Sequence, residues 1–221
     1  RIFFIKILGS EYLGLNGLFT NILTVLSLAE LGVGTAITYS LYAPLANKDE
    51  KKCQMLMQLY RKIYIAIGLF ILIVGISITP FLPIFIKNLP NIPNINLIYI
   101  LFVVNTAISY FYSYKRNLII ADQNRYIATI SRYGCYILLN ISQIIYLVIT
   151  KHYIGFLILQ IIFTFLENVL VSLQADKMYP FLKDKTKRKL DVGTKKEIVK
   201  NTKAMMMHKV GDVIVNLTDN I

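Results

Sequence analysis

From Ile63 to Ile86 the chain runs 24 residues without a charged side chain. A helix of that length rises about 36 Å, more than the roughly 30 Å of a bilayer's hydrocarbon core. No water is available there to pair exposed peptide groups, so a single run can cross only as an α-helix, with its backbone bonds satisfied internally. Gly68 and Gly75 lie seven residues apart on one face of it, which suits close packing on another helix. Pro80 and Pro83 fall at its far end, where a helix can stop.

The same pattern recurs along the chain. Residues 18–42 hold one charge, Glu30; 97–114 hold none; 126–150 hold Arg132; 153–175 hold Glu167. We therefore expect an all-α, polytopic membrane protein with spans at 18–42, 63–86, 97–114, 126–150 and 153–175. Pro44 is expected to stop the first of these. The composition agrees: 56% hydrophobic and 16% charged residues, where soluble domains carry about 25% charged. Residues 177–203 are different, a basic stretch expected to lie along an anionic membrane surface as a connector. The ends read as cut: an upstream helix is expected before Arg1, and residues 209–221 look like the start of a further span.

The basic residues fix an orientation. The loops at 44–62, 115–132 and 177–209 hold five, four and eleven Lys or Arg; the intervening segments hold only Arg1, Lys6, Lys87 and Lys151. Positive charge accumulates on the cytoplasmic side, so the three rich loops are expected there. The net charge of +12 thus reflects topology. Nucleic-acid binding is not expected, because the basic run lacks interleaved aromatics.

Four of the five spans carry a polar stripe. In the first, Thr20, Thr24, Ser27, Glu30, Gly34, Thr35 and Thr38 share one arc at 100° per residue, with Asn21 and Ser40 outside it. Asn105 and Arg116 mark the third, Arg132, Asn140 and Gln143 the fourth, and Gln160 and Glu167 the fifth. One reading is a shared polar cavity walled by these residues; the other is that the polar groups bond one helix to the next. A carboxylate deep in a span costs about 2.5–3.5 kcal/mol on insertion scales. Glu30 and Glu167 are accordingly candidates for binding a cation, a proton or sugar hydroxyls, or for pairing with a base. Arg116 and Arg132 lie toward the cytoplasmic ends, where a guanidinium can hold phosphate in a bidentate manner or simply anchor the helix.

Other chemistry finds little support. Cys53 and Cys135 read as free thiols rather than a disulfide framework. His152 and His208 lack metal-ligand partners at useful spacing. No Gly-Lys-Ser/Thr follows the glycines near residues 9–17 and 32–34, and no nucleophile–base arrangement is evident. The Asn140-Ile-Ser142 and Asn216-Leu-Thr218 triplets fall inside spans.

Three stretches carry a family resemblance. GSEYLGLNGLFTNILTVLSLAELGVGTAITYSLYAPL (9–45) resembles the first outer loop and second helix of Wzx-type polysaccharide and O-antigen flippases, in the multidrug/oligosaccharidyl-lipid/polysaccharide exporter superfamily. RNLIIADQNRY (116–126) resembles their loop between helices four and five, and KVGDVIVNLTDNI (209–221) the opening of helix seven. The resemblance implies a two-lobe exporter fold. Residues 1–176 would be the six-helix N-terminal lobe, from the end of helix one through helix six; 177–208 would be the inter-lobe connector and 209–221 the start of helix seven. It further implies a bacterial cytoplasmic-membrane flippase that moves undecaprenyl-pyrophosphate-linked oligosaccharide for surface polysaccharides such as O-antigen or capsule. No cofactor is implied beyond H+ or Na+ coupling. Membrane lipids, a polysaccharide polymerase and assembly proteins would be its partners. A cation-coupled multidrug exporter of the same fold and a membrane-embedded polysaccharide enzyme stay open as alternatives.

Overall fold

The computed structural model describes residues 2–27, 30, 32–85 and 92–184, with scattered positions between 193 and 207. Helix makes up 91% of the structure, and no strand occurs among the described residues; the class is all-α. In chain order the helices are α1 (Ile2–Leu8), α2 (Ser10–Ser27), α3 (Val33–Ala46), α4 (Glu50–Ile78), α5 (Leu82–Phe85), α6 (Ile95–Phe111), α7 (Ser113–Ala121), α8 (Arg125–Thr150) and α9 (Tyr153–Met178). Tight 3-10 turns at Thr79–Phe81 and Pro180–Lys183 extend α4 and α9.

Among the described residues three helical stretches are long and apolar enough to cross a membrane: Glu50–Phe81, Arg125–Thr150 and Tyr153–Met178, with mean hydropathies of 2.4, 1.5 and 2.1. A fourth candidate is a bent pair. α6 and α7 together pass the same test but meet at 42° across Tyr112. Much of the apolar surface faces outward, as on α8, where Ile130 is 68% and Ile149 75% exposed. Lipid tails can cover such a surface; water would penalise it.

The expected continuous span at 18–42 is corrected. α2 ends at Ser27 and α3 begins at Val33. Gly32 sits at φ +78°, a left-handed conformation that glycine adopts without a Cβ penalty and that ends a right-handed helix. Its carbonyl accepts from the Ala36 N–H, at 2.9 Å, and so starts α3. Pro44 does not stop this helix but lies inside it; α3 ends at Ala46. Lys48 then turns at φ +53°, and the Asp49 side chain accepts from the Lys52 N–H to cap α4. The expected 97–114 span likewise bends at Tyr112 instead of running straight.

Close packing of α4 on α6 follows from the two glycines. A Cβ at Gly68 would stand 2.7 Å from a Phe111 ring carbon, and one at Gly75 would stand 2.6 Å from Val103 Cγ1. Neither distance is tolerable, so only glycine lets the helices approach this far. Two apolar clusters hold the bundle. Leu41, Leu56, Tyr60, Ile71, Leu118 and Val171 centre the one toward the turns at 47–49, 122–124 and 179–184. Phe19, Leu82, Tyr99, Val103, Leu147 and Leu157 centre the other, toward the opposite turns. Both cysteines are free and buried. Of the expected connector at 177–208, Ile198 packs into the first cluster; the expected helix start at 209–221 lies outside the described residues.

Candidate functional site

The break between α2 and α3 and the bend between α6 and α7 meet at one polar cluster. The Tyr64 hydroxyl on α4 donates to Glu30 Oε1 at 2.9 Å. Asn117 Nδ2 on α7 donates to the same Tyr64 oxygen at 2.8 Å. Gly34, in the first turn of α3, leaves room for all three: a Cβ there would lie 3.1 Å from the Tyr64 oxygen and 3.4 Å from Glu30 Oε1. The Tyr110 ring stacks beside Tyr64, with centroids 6.4 Å apart. Among the described residues Glu30 has no cationic partner. Its carboxylate faces a hydroxyl, not the arginines.

α7 spreads three successive polar residues around its axis. With 100° between neighbours, Asn117 reaches α4 while Lys115 and Arg116 reach α9. Arg116 Nη2 lies 2.6 Å from Glu167 Oε1 and 3.5 Å from Asn168 Oδ1. Asn168 is buried and donates to the Ile108 carbonyl of α6 at 2.9 Å. Lys115 Nζ contacts both oxygens of Asp176 and the Ser172 hydroxyl, each at 2.7 Å. The stripes of α6–α7 and α9 therefore turn toward each other. One more bond of this kind runs from Ser131 on α8 to Gln174 on α9, at 3.0 Å. Asn105 Oδ1 on α6 and Arg116 Nε on α7 are buried without a hydrogen-bond partner among the described residues. Gln160 is half-buried on α9, again with no such partner among them.

A third group opens to the outside. Between α1, α2, α8 and the first turn of α9 lies a cleft of about 550 Å³. α2 contributes Leu13, Asn16, Gly17, Thr20 and Asn21; α8 contributes Asn140, Gln143, Ile144 and Leu147; Phe4, Ile7 and Phe156 complete it. Gln143 Nε2 donates to the Phe156 carbonyl at 3.1 Å, and Asn140 Nδ2 donates to the Tyr136 carbonyl at 2.7 Å. Arg132 shares this side of α8, eight residues before Asn140 and eleven before Gln143. It is exposed and has no partner among the described residues.

The expected site residues thus separate into three places. Glu30 belongs to the helix-break cluster, Arg116 and Glu167 pair at the α7–α9 seam, and Asn140 and Gln143 border the cleft below Arg132, while Asn105 on α6 and Gln160 on α9 bond to none of these among the described residues. Tyr64, Asn117 and Asp176 are members that the sequence reading did not single out. Asn16 and Asn21 are others; Asn21 fell outside the polar arc of its span, yet it faces the cleft. What fold and composition establish is a class, an all-helical protein with helices able to cross a membrane. No protein-family model, curated protein or solved structure matches the chain.

Proposed function

We propose that this chain belongs to a flippase that moves an undecaprenyl-pyrophosphate-linked oligosaccharide across a bacterial cytoplasmic membrane. The observation that carries the reading is the α8 face, which runs from the Arg132 guanidinium, unpaired among the described residues, to an amide-lined cleft at Asn140 and Gln143. A free arginine suits a pyrophosphate; uncharged amides suit sugar hydroxyls. The family-like stretch at 9–45 supplies α2, the opposite wall of that cleft. Arg116 is better read as structural, since Glu167 already neutralises it. The role is that of a transporter, not an enzyme. The six-helix lobe, the two-lobe exporter and the partnership with a polymerase and assembly proteins belong to this same proposal.

A second reading has its own support. Glu30 accepts a hydrogen bond from the Tyr64 hydroxyl and has no base beside it among the described residues. That arrangement suits uptake of H+ or Na+, which a cation-coupled multidrug exporter of the same fold would need as well. Cells carrying Arg132→Gln separate the two. In a flippase, the lipid-linked oligosaccharide accumulates on the inner leaflet and surface polysaccharide falls at least tenfold, at unchanged protein level. Normal surface polysaccharide combined with lost resistance to a cationic dye favours the drug exporter.

A further inference from the structure

The lining of the α2–α8 cleft mixes apolar side chains with five uncharged polar ones and, among the described residues, contains no Lys, Arg, Asp or Glu. We infer that this cleft selects the sugar: it takes an uncharged, hydroxyl-rich ring and turns away rings bearing a carboxylate or an ammonium. The inference deepens the flippase reading and rests on it for the identity of the cargo.

Hydrogen-bonding capacity points to hydroxyls. Asn140 and Gln143 each spend an N–H on a backbone carbonyl, which leaves their side-chain oxygens as acceptors. The side-chain amides of Asn16 and Asn21 have no partner among the described residues, so each offers both donors and an acceptor. The Thr20 hydroxyl already donates to the Asn16 carbonyl and keeps its lone pairs. A sugar hydroxyl donates once and accepts twice, and this mixture answers both needs. A charged ring would lose water without gaining a counter-ion here, which is penalised far more than moving a neutral ring.

Shape agrees with the chemistry. Leu13, Asn16, Gly17, Thr20 and Asn21 are spaced as one face of a helix. Phe4 and Phe156 meet edge to face, with centroids 5.4 Å apart, and give the cleft an apolar wall for the C–H side of a ring. The volume of about 550 Å³ lies within the usual 300–1,000 Å³ of small-molecule pockets. Gly17 keeps the space clear, because a Cβ built on it meets nothing within 4 Å. Asn140 and Gln143 follow Arg132 by about 12 and 16 Å along α8, so one helix can contact both the charged and the uncharged part of a single cargo.

Gly17 also supplies the test. Gly17→Leu fills the cleft without pressing on the packing, and it replaces a poor helix former with a good one. Gly14→Leu is the control: Gly14 lies on the same helix, also meets nothing within 4 Å, and does not border the cleft. The protein in lipid nanodiscs is applied to an array of neutral glycans, built of hexoses and N-acetylhexosamines, beside glycans containing uronic acids or free amino sugars. Retention on neutral glycans is expected, with at least a tenfold loss in Gly17→Leu and in Asn16→Ala/Asn140→Ala, and none in Gly14→Leu. Preference for charged glycans, no retention on any neutral glycan, or wild-type retention by Gly17→Leu overturns the inference. A parallel translocation assay keeps the two readings apart. Neutral-glycan retention without lipid-linked transport leaves the cleft standing and removes the flippase; transport without retention does the reverse.

Discussion

Arg116 and Arg132 are the same side chain sixteen positions apart, and their surroundings give them opposite roles. Arg116 ends on a carboxylate and an asparagine. Removing it strips Glu167 of a charge-assisted hydrogen bond, an interaction worth about 1.5–3 kcal/mol. Arg116→Ala is therefore expected to lower thermal stability in detergent by about that amount, and Arg116→Ala/Glu167→Ala to recover most of it. Arg132 touches no described partner, so Arg132→Gln should leave the melting temperature unchanged while it slows transport. Glu30 is a third case. Glu30→Gln keeps an oxygen for the Tyr64 hydroxyl but loses the charge. Stable folding is expected, with transport that no longer responds to an imposed proton or sodium gradient; an intact gradient response assigns Glu30 to packing. Tyr64→Phe should instead destabilise, because both Glu30 and Asn117 then lose their bonds.

At the scale of elements, the bundle depends on how closely its helices approach and how their ends are tied. Gly75→Leu forces α4 off Val103 of α6; overpacking of this kind costs about 1–3 kcal/mol, and a fall in melting temperature should report it. The turn between α7 and α8 is clasped to the end of α9, where the Tyr179 hydroxyl donates to Asp122 Oδ2 at 2.8 Å. Burial, followed by the bond to that carboxylate, raises the Tyr179 hydroxyl above its ordinary value of 10. Its folded-state pKa exceeds the unfolded one. The contribution is thus complete below about pH 10 and disappears as the pH climbs through the raised value. Limited proteolysis near residue 184 should be faster in Tyr179→Phe than in the wild type already at neutral pH, where the wild-type bond is intact; equal rates for the two contradict the clasp.

For the molecule as a whole, charge and hydropathy made the ends of α8 and α9 legible, since Arg125, Lys151 and Lys177 bracket two uninterrupted apolar helices. The break at Gly32 was not legible in the same way. Hydropathy adds side chains and is blind to a backbone angle, so residues 18–42 read as one span. Stripe positions were legible too, but a helical wheel gives a direction and not a neighbour. Glu167 and Arg116 were each placed on a polar face without any sign that they face one another. Asn21 shows the converse limit: α2 packs on two sides, and a single arc could not capture both. Orientation is still open to direct measurement. Cys53, only 1% exposed, is a poor reporter, whereas a cysteine introduced at the exposed Lys51 should react with an impermeant maleimide only from the cytoplasmic side.

The flippase reading meets its most direct test in reconstituted vesicles. The protein in proteoliposomes is supplied with a fluorescent undecaprenyl-pyrophosphate oligosaccharide on one leaflet, and its arrival at the other is read with an impermeant quencher. Transfer well above that of protein-free vesicles, and at least tenfold slower with Arg132→Gln, is the predicted result. Transfer no faster than in protein-free vesicles contradicts the flippase itself, and equal rates for wild type and Arg132→Gln contradict the role given to the α8 face.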